Sequence, residues 1–522
     1  MQDHARRFAA LGYVARSNVH PRERPDRFLR AVWASALSGA GPVGALATGA
    51  ARYPSAPAVV DDRGSVTYRD LWGRSATLTA GLRAAGAGPG TVVGLLARNT
   101  RFFVEALVGA AGTGADVVLL NTGFASAELA AVVDAERIDI LLHDEDLSSL
   151  AERSGVRLRL AEDAADRLGG QRGGRAWMAA PRSGRIVILT SGTTGRAKGA
   201  ARRAGPGALE GAAAVLQRIP LRVRDTQVVA APMFHAWGLL HLLLGLSRSA
   251  TTVVQPHFDA GATLEAVEAH RARALVVVPV MLRRMLALGP ERLVTVDLSS
   301  IDVIASSGSA LGADLATGVL RRFGPVLYNV YGSTEVALAT VATPDDLSWA
   351  PATAGRVAFG SRVEVVDEAG QPVRTGITGR IFVGSAMGFE GYTSGGDKER
   401  LRGLVASGDV GHFDARGRLF VDGREDDMIV SGGENVFPAE VEDVLSLHPG
   451  IADVAVTGVD DDEFGQALAA FVVRRPGAAL SVDDVRDHVR RSLARFKVPR
   501  RVVFVDDLPR TATGKVVKRL LA

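Results

Sequence analysis

At 522 residues the chain is longer than one hydrophobic core usually supports, so two or more domains are expected. Apolar residues at 47% and charged residues at 23% are the balance of an ordinary globular enzyme, and a formal charge of only +4 supplies no basic field that would demand nucleic acid. The sequence contains no cysteine, which excludes disulfides, thiolate metal sites and a cysteine nucleophile, so any thiol in the reaction must come from another molecule.

The first twenty residues, MQDHARRFAALGYVARSNVH, lack an apolar core and a cleavage site, so no secretory signal is expected. Leu29 to Ala50 is Ala/Gly-rich, with Arg30 and Pro42, and predicts a surface helix plus loop rather than a membrane span. A cytoplasmic protein is expected; peripheral membrane contact and a homodimer are both compatible with the sequence. From Ala58 to Leu142 apolar runs alternate with helical patterns: TVVGLLA (Thr91–Ala97) as strand, TRFFVEALVGAAGTGA as helix, DVVLLN (Asp116–Asn121) as strand. The cycle resumes at RIVILT (Arg185–Thr190), TTVVQ (Thr251–Gln255), ALVVVPV (Ala274–Val280) and IDVIASSG (Ile301–Gly308). Continuous β-branched runs between helices predict an α/β fold of parallel sheets covered on both faces. After Gly355 strand alternation broken by Gly-containing turns predicts hairpins or a small β-barrel-like part. From Asp426 the order helix, strand, strand, helix, strand predicts a small α+β C-terminal domain. The expected division is therefore residues 1–425 and 426–522.

The stretch LTSGTTGRAKGA, Leu189 to Ala200, packs glycines and hydroxyls ahead of Arg196 and Lys198. It follows a predicted strand and precedes an Ala/Leu-rich helix, a place where a loop can hold phosphate oxygens. It is not a Walker loop, which needs its lysine directly after glycine; here Lys198 follows Ala197. TSGTTGRAKG resembles the phosphate-binding signature of the adenylate-forming superfamily. Further motifs stand in that family's order over essentially the whole chain: PMFHAWG (Pro232–Gly238), YGSTE (Tyr331–Glu335), SGD (Ser407–Asp409), GREDDMIVSGGENVFPAEVE (Gly423–Glu442) and PRTATGK (Pro509–Lys515).

The resemblance implies ATP, Mg2+ and coenzyme A as cofactors, and roles for the matching positions. Thr190, Ser191, Gly192, Thr193, Thr194, Gly195 and Lys198 would hold phosphates. Gly308, Ser309 and Ala310 would line the adenine side, with Asn329, Tyr331, Gly332 and Ser333 also on the nucleotide. Thr334 would donate to the α-phosphate, and Glu335, helped by Thr190, would hold the metal, since a hard cation prefers oxygen. Asp409 resembles the acceptor of both ribose hydroxyls and Arg424 its partner; a carboxylate suits two donors. Leu404 and Val405 stand where a Gly-Trp pair is common in the family. His235, Trp237, Val278 and Gly332 would form the acid pocket, Trp237 walling or gating a tunnel for an apolar tail. Gly432 and Gly433 would let a slim pantetheine arm pass the backbone, and Asp426 matches the hinge position. Lys515 would bridge the acid and the α-phosphate, acting in catalysis with Lys198, His235 and Glu335. At ~4 Å and an effective dielectric of ~20, one lysine offsets about 4 kcal/mol of anion repulsion.

The implied reaction is a two-step ligation. Carboxylate and MgATP give acyl-AMP and pyrophosphate, and an external thiol, taken as that of coenzyme A, then attacks. PMFHAWGL, VVVPVML, NVYGSTEVALATVATPDDL and SGGENVFPAEVE are similar to actinobacterial-type fatty acyl-CoA synthetases, which implies a medium- or long-chain fatty acid. The alternatives are an acyl-AMP ligase loading a carrier protein, an aryl-CoA ligase, and a silent nucleotide-binding sensor.

Overall fold

The structure is a computed structural model that describes residues 2–18, 25–162, 184–191, 197–203, 207–385, 387, 389, 391–393, 395–425, 427–431, 434–461, 465–511 and 514–521. Three helices come first: α1 (Gln2–Asn18), α2 (Pro25–Ser38) and α3 (Pro42–Arg52). The expected loop within Leu29–Ala50 is instead mostly the buried α3. Pro42 starts it at a position where a missing N–H costs nothing. Its small residues let it approach its neighbours: a Cβ on Gly49 would lie 2.3 Å from the Tyr68 ring and 2.5 Å from the Leu246 carbonyl oxygen.

Six strands form the first sheet, in the order 158–161, 140–143, 92–96, 116–119, β1 (Arg185–Ser191) and β2 (Ala197–Arg203). All pairings are parallel except that of β2, which runs antiparallel to β1. The sequence reading took the glycine-rich stretch to lead directly into a helix; it leads first into β2. AKGAARR has little strand propensity of its own, and the edge of the sheet supplies the pairing. Lys198 therefore lies on a strand, opposite Thr190.

Helix α4 (Arg101–Thr113) has almost every residue buried, which explains its lack of a polar face. The Thr100 hydroxyl caps its start, and Gly114 in the left-handed region ends it. Arg101 binds Asp61, at the end of the strand 57–61, through its backbone N–H at 3.0 Å and its Nε at 2.9 Å. The two side chains are 11% and 1% exposed. This pair ties the first sheet's helix layer to the second sheet.

That second sheet has nine strands, parallel at its centre, where Val228, Val276 and Ile304 are fully buried, and antiparallel at both edges. It carries α5 (Ala236–Ser247), α6 (Ala313–Phe323), β3 (Leu327–Ser333) and the antiparallel β4 (Ala337–Ala342). One hydrophobic core spans both sheets. A five-stranded antiparallel sheet follows over 362–424, including β5 (Leu404–Phe413) and β6 (Leu419–Arg424). The C-terminal part contains the expected order, with α7 (Pro438–Ser446) its first helix, and a hairpin over 429–436 that the sequence reading did not anticipate. Its core, centred on Val436, Val441, Val456 and Val472, is separate from that of the large part. Asp426, the expected boundary, lies outside the described residues. Among the described residues no helix is long and apolar enough to cross a membrane.

Burial raises the Asp61 carboxyl, but Arg101's hydrogen bonds and charge outweigh it and hold it below the ordinary carboxylate range. Its stabilisation is therefore present above the ordinary carboxylate pKa and lost as pH falls through the lowered value. Asp61→Ala, which strands a buried guanidinium, is expected to cost roughly 3–5 kcal/mol in denaturant unfolding at neutral pH. The deficit should shrink in acid.

Candidate active site

A cavity of about 1770 Å³ opens where the two large sheets, the antiparallel sheet and the C-terminal part meet. Thr190, Lys198, His235, Trp237, Val278, Gly308, Ser309, Ala310, Asn329, Tyr331, Gly332, Ser333, Thr334, Glu335, Asp409, Arg424 and Lys515 all line it. Ser191 ends β1 and is not among the residues that line the cavity. Gly192, Thr193, Thr194, Gly195, Asp426, Gly432 and Gly433 lie outside the described residues.

The turn between β3 and β4 builds one wall. Ser333 Oγ donates to Glu335 Oε2 at 2.9 Å and accepts from the N–H groups of Glu335 and Val336 at 3.2 and 3.3 Å. This local hydroxyl turn aims the Glu335 carboxylate into the cavity. Gly332 has no substitute here, since a Cβ would lie 1.9 Å from the Ala337 carbonyl oxygen.

Tyr392, which the sequence reading passed over, completes that wall. Its hydroxyl donates to Glu335 Oε1 at 3.0 Å, and its ring centroid lies 5.3 Å from Lys198 Nζ. A backbone bridge from Tyr392 to Ala200 and the Thr393 N–H to the Gly199 carbonyl, 2.8 Å, hold it there. An aromatic inside the glycine-rich run GFEGYTSGG was the available signal.

On the opposite side Tyr331 Oη donates to Asp409 Oδ2 at 2.6 Å. Desolvation and the neighbouring carboxylate push the phenol well above its ordinary range, so it remains a donor. Arg424 faces Asp409 at 3.5 Å because the two are cross-strand partners in the β5–β6 register. Gly408, at φ 81°, makes the turn that presents the aspartate. Desolvation raises the Asp409 carboxyl against the opposing effects of Tyr331, Arg424, Lys515 and Lys398.

Lys515 comes from the C-terminal part, and its ammonium acts on Asp409 across the cleft. Its loop is tight: the Thr511 N–H reaches the Lys515 carbonyl at 2.8 Å and the Lys515 N–H reaches Thr511 Oγ1 at 3.2 Å. Gly514 presses on the large part, and a Cβ there would lie 2.2 Å from Val280 Cγ1. The two parts also meet at α7. Ser446 Oγ on α7 donates to Asp314 on α6 at 3.3 Å. Asp443 on α7 is raised to about 6 by desolvation and by the charges of Glu442 and Asp314.

His235 begins α5, and desolvation lowers its imidazole to about 4, so it is neutral near pH 7 and offers hydrogen bonding rather than charge. Trp237 Nε1 donates to the Val277 carbonyl at 3.1 Å, and its ring stands edge-on to His241 at 4.4 Å. These contacts fix the Trp237 ring where it lines the cavity.

Glu335 and the Thr190 hydroxyl both line the cavity and could offer oxygen to a divalent cation; among the described residues no group of three or more His, Cys, Asp or Glu could hold a metal. That set fits Mg2+, which binds through one or two carboxylates together with substrate phosphates.

The chain matches the family model of the AMP-binding enzymes over residues 46–393 and that of the AMP-binding enzyme C-terminal domain over 440–515. It belongs to the AMP-binding enzyme family. Among curated relatives it is 38% identical to indoleacetate–CoA ligase of Aromatoleum aromaticum, over 65% of this chain and 66% of that one. It is 34% identical to feruloyl-CoA synthase of an Amycolatopsis species, over 89% and 95%. A fatty acid–[acyl-carrier-protein] ligase, ScoC of Streptomyces coeruleorubidus, is 28% identical over 90% and 93%. The ATP-bound structure of MatB from Rhodopseudomonas palustris superposes with a TM-score of 0.82 at 27% identity, over 90% of this chain and 95% of that one.

In this AMP-binding enzyme, Gly332→Ala should part the β3–β4 turn beneath the nucleotide. ATP affinity by calorimetric titration should fall roughly tenfold or more, the scale of an overpacking cost of about 1–3 kcal/mol. Circular dichroism should stay unchanged.

Proposed function

We propose that the chain is an AMP-forming acid–CoA ligase acting on carboxylic acids with an extended apolar tail, fatty acids among them. ATP, Mg2+ and coenzyme A serve the reaction. The observation that carries the substrate class is that the cavity does not stop at Trp237. It continues along α5 past Ala236, Leu239, Leu240, Leu243, Leu244 and Ser247. Eleven residues of helix rise about 16 Å. The facing wall is small: Gly41, Gly44, Ala45 and Thr48 at α3. A channel of that length and polarity accepts a flexible chain beyond a single ring.

At the other end, charge governs. The acid's carboxylate oxygen attacks the α-phosphorus; a carbon–oxygen–phosphorus anhydride forms as the α–β phosphoanhydride bond breaks and pyrophosphate leaves. Two anions must approach, and Lys515 meets them from the C-terminal part while Lys198 serves the departing phosphates. Positioned charge is most of catalysis in such transfers. Mg2+, when bound at Glu335 and Thr190, neutralises phosphate charge. Tyr392 holds Glu335 and Lys198 in register, and Asp409 with Arg424 fixes the ribose side. Neutral His235 and the Trp237 wall orient the acid.

The thiol of coenzyme A then attacks the acyl carbon and AMP departs. Lys515 occupies the approach, so the C-terminal part must rotate, with Asp426 as the pivot and Gly432 and Gly433 turned toward the pantetheine arm. The separate hydrophobic core of the C-terminal part supports this reading, since that part can turn without unpacking the large one.

A second reading, an aryl-CoA ligase, is favoured by the indoleacetate and feruloyl enzymes among the relatives. Pyrophosphate release with palmitate, octanoate, benzoate, ferulate and indoleacetate, with and without coenzyme A, separates the two. Palmitate or octanoate is expected to give the highest kcat/KM, and thioester is expected with coenzyme A. A preference for ferulate or indoleacetate selects the aryl reading. Lys515→Ala should slow acyl-AMP formation by about 10²-fold or more while sparing thioester formation from supplied acyl-AMP. Equal loss in both half-reactions would refute its assignment to the first.

A further inference from the structure

Lys198 and Glu335 come from different sheets. Lys198 stands on β2, at the edge of the six-stranded sheet, and Glu335 in the turn between β3 and β4 of the nine-stranded one. Strand register therefore does not set how far apart the two charges stand. Tyr392 and Thr393, in the segment that precedes β5, reach both places.

The two ends of the Tyr392 side chain meet opposite charges. Its hydroxyl donates to Glu335 Oε1 at 3.0 Å while Ser333 Oγ donates to Oε2, so both carboxylate oxygens are oriented. Each oxygen has a second lone pair left for a cation. The ring centroid lies 5.3 Å from Lys198 Nζ, inside the range over which an ammonium is drawn to an aromatic face. The buried Phe389 ring supports it, edge-on at 5.0 Å.

Thr393 anchors the arrangement. Its N–H donates to the Gly199 carbonyl at 2.8 Å, and its hydroxyl donates at 2.6 Å to Glu136 Oε1, at the end of the helix Ser126–Glu136. A Cβ on Gly199 would run into both that hydroxyl and the Glu136 carboxylate, so glycine is needed beside Lys198 to admit the pair. Three segments distant in the chain thus converge on two adjacent side chains.

We propose that Tyr392 and Thr393 form a clasp that positions Glu335 and Lys198 relative to each other, the Tyr392 hydroxyl serving the divalent cation and its ring serving the nucleotide phosphates. The proposal rests on reading Glu335 as the oxygen donor to Mg2+ and Lys198 as a phosphate cation, and on nothing about the acid.

Two binding measurements on the full-length protein separate the roles without turnover. Mn2+, followed by electron paramagnetic resonance, stands in for Mg2+ and is titrated with α,β-methylene-ATP present, whose α–β bridge is not cleaved. The same nucleotide is titrated calorimetrically in EDTA. Tyr392→Phe keeps the ring. Its Mn2+ binding is expected to weaken about tenfold or more, the scale of losing a partner that orients a metal ligand, with metal-free nucleotide affinity unchanged. Tyr392→Leu is expected to lose Mn2+ binding equally and to weaken metal-free nucleotide binding about threefold or more as well. Thr393→Val, which removes the bond to Glu136, should also weaken Mn2+ binding. Unchanged Mn2+ binding in Tyr392→Phe or Thr393→Val, beside a clear loss in Glu335→Gln, overturns the proposal and leaves the metal assignment standing. Unchanged Mn2+ binding in Glu335→Gln removes that assignment and the proposal with it. Equal losses in both titrations for Tyr392→Phe, or unchanged nucleotide binding in Tyr392→Leu, overturn the division between hydroxyl and ring.

Discussion

The hydrogen bond from the Tyr331 hydroxyl to the Asp409 carboxylate, at 2.6 Å, links the nine-stranded sheet to the antiparallel sheet inside the cavity. A bond to a charged group contributes about 1.5–3 kcal/mol, and its greater effect is positional. It fixes where the antiparallel sheet presents Arg424, and it gives the ammonium of Lys515 an anion to face across the cleft. The cost is a largely buried carboxylate that desolvation pushes upward, tolerated because a phenol and cations surround it. Residues from four structural units thereby share one site.

The chemistry proposed for that site asks for charge on demand. A cation that stayed in place would stabilise the first transfer and then block the thiol. Placing Lys515 on a separately cored unit resolves the conflict, because that unit can turn without unpacking the large one. Fixed elements handle what need not move: Ser333 and Tyr392 set Glu335, and cross-strand register sets Asp409 against Arg424.

The apolar end obeys a different rule. Along α5 the leucines that line the cavity are spaced by helical turns, and residues at the start of α3 line it as well. In α3 small residues serve close approach, as Gly44 does to the Gly39 carbonyl and Gly49 to Tyr68.

Much of this was legible in the residues. The alternation of β-branched runs with helices placed the parallel strands, and most of the described residues that the motifs singled out line one cavity, Ser191 excepted. Periodicity failed where pairing partners decide the outcome. Residues 197–203 have weak propensity and become a strand because an edge accepts them; residues 42–52 look too small for a core, yet are buried because small size permits close approach. Tyr392 was missed because its significance lies in reaching Glu335 and Lys198 at once, 57 and 194 positions away in the chain. Local sequence therefore determined which chemistries are present, since hydroxyl, carboxylate and ammonium groups are properties of single residues. Only the tertiary structure decided which of them meet, how far the apolar channel runs and which helix face is left to solvent, because those are properties of distance between segments that the chain order does not contain.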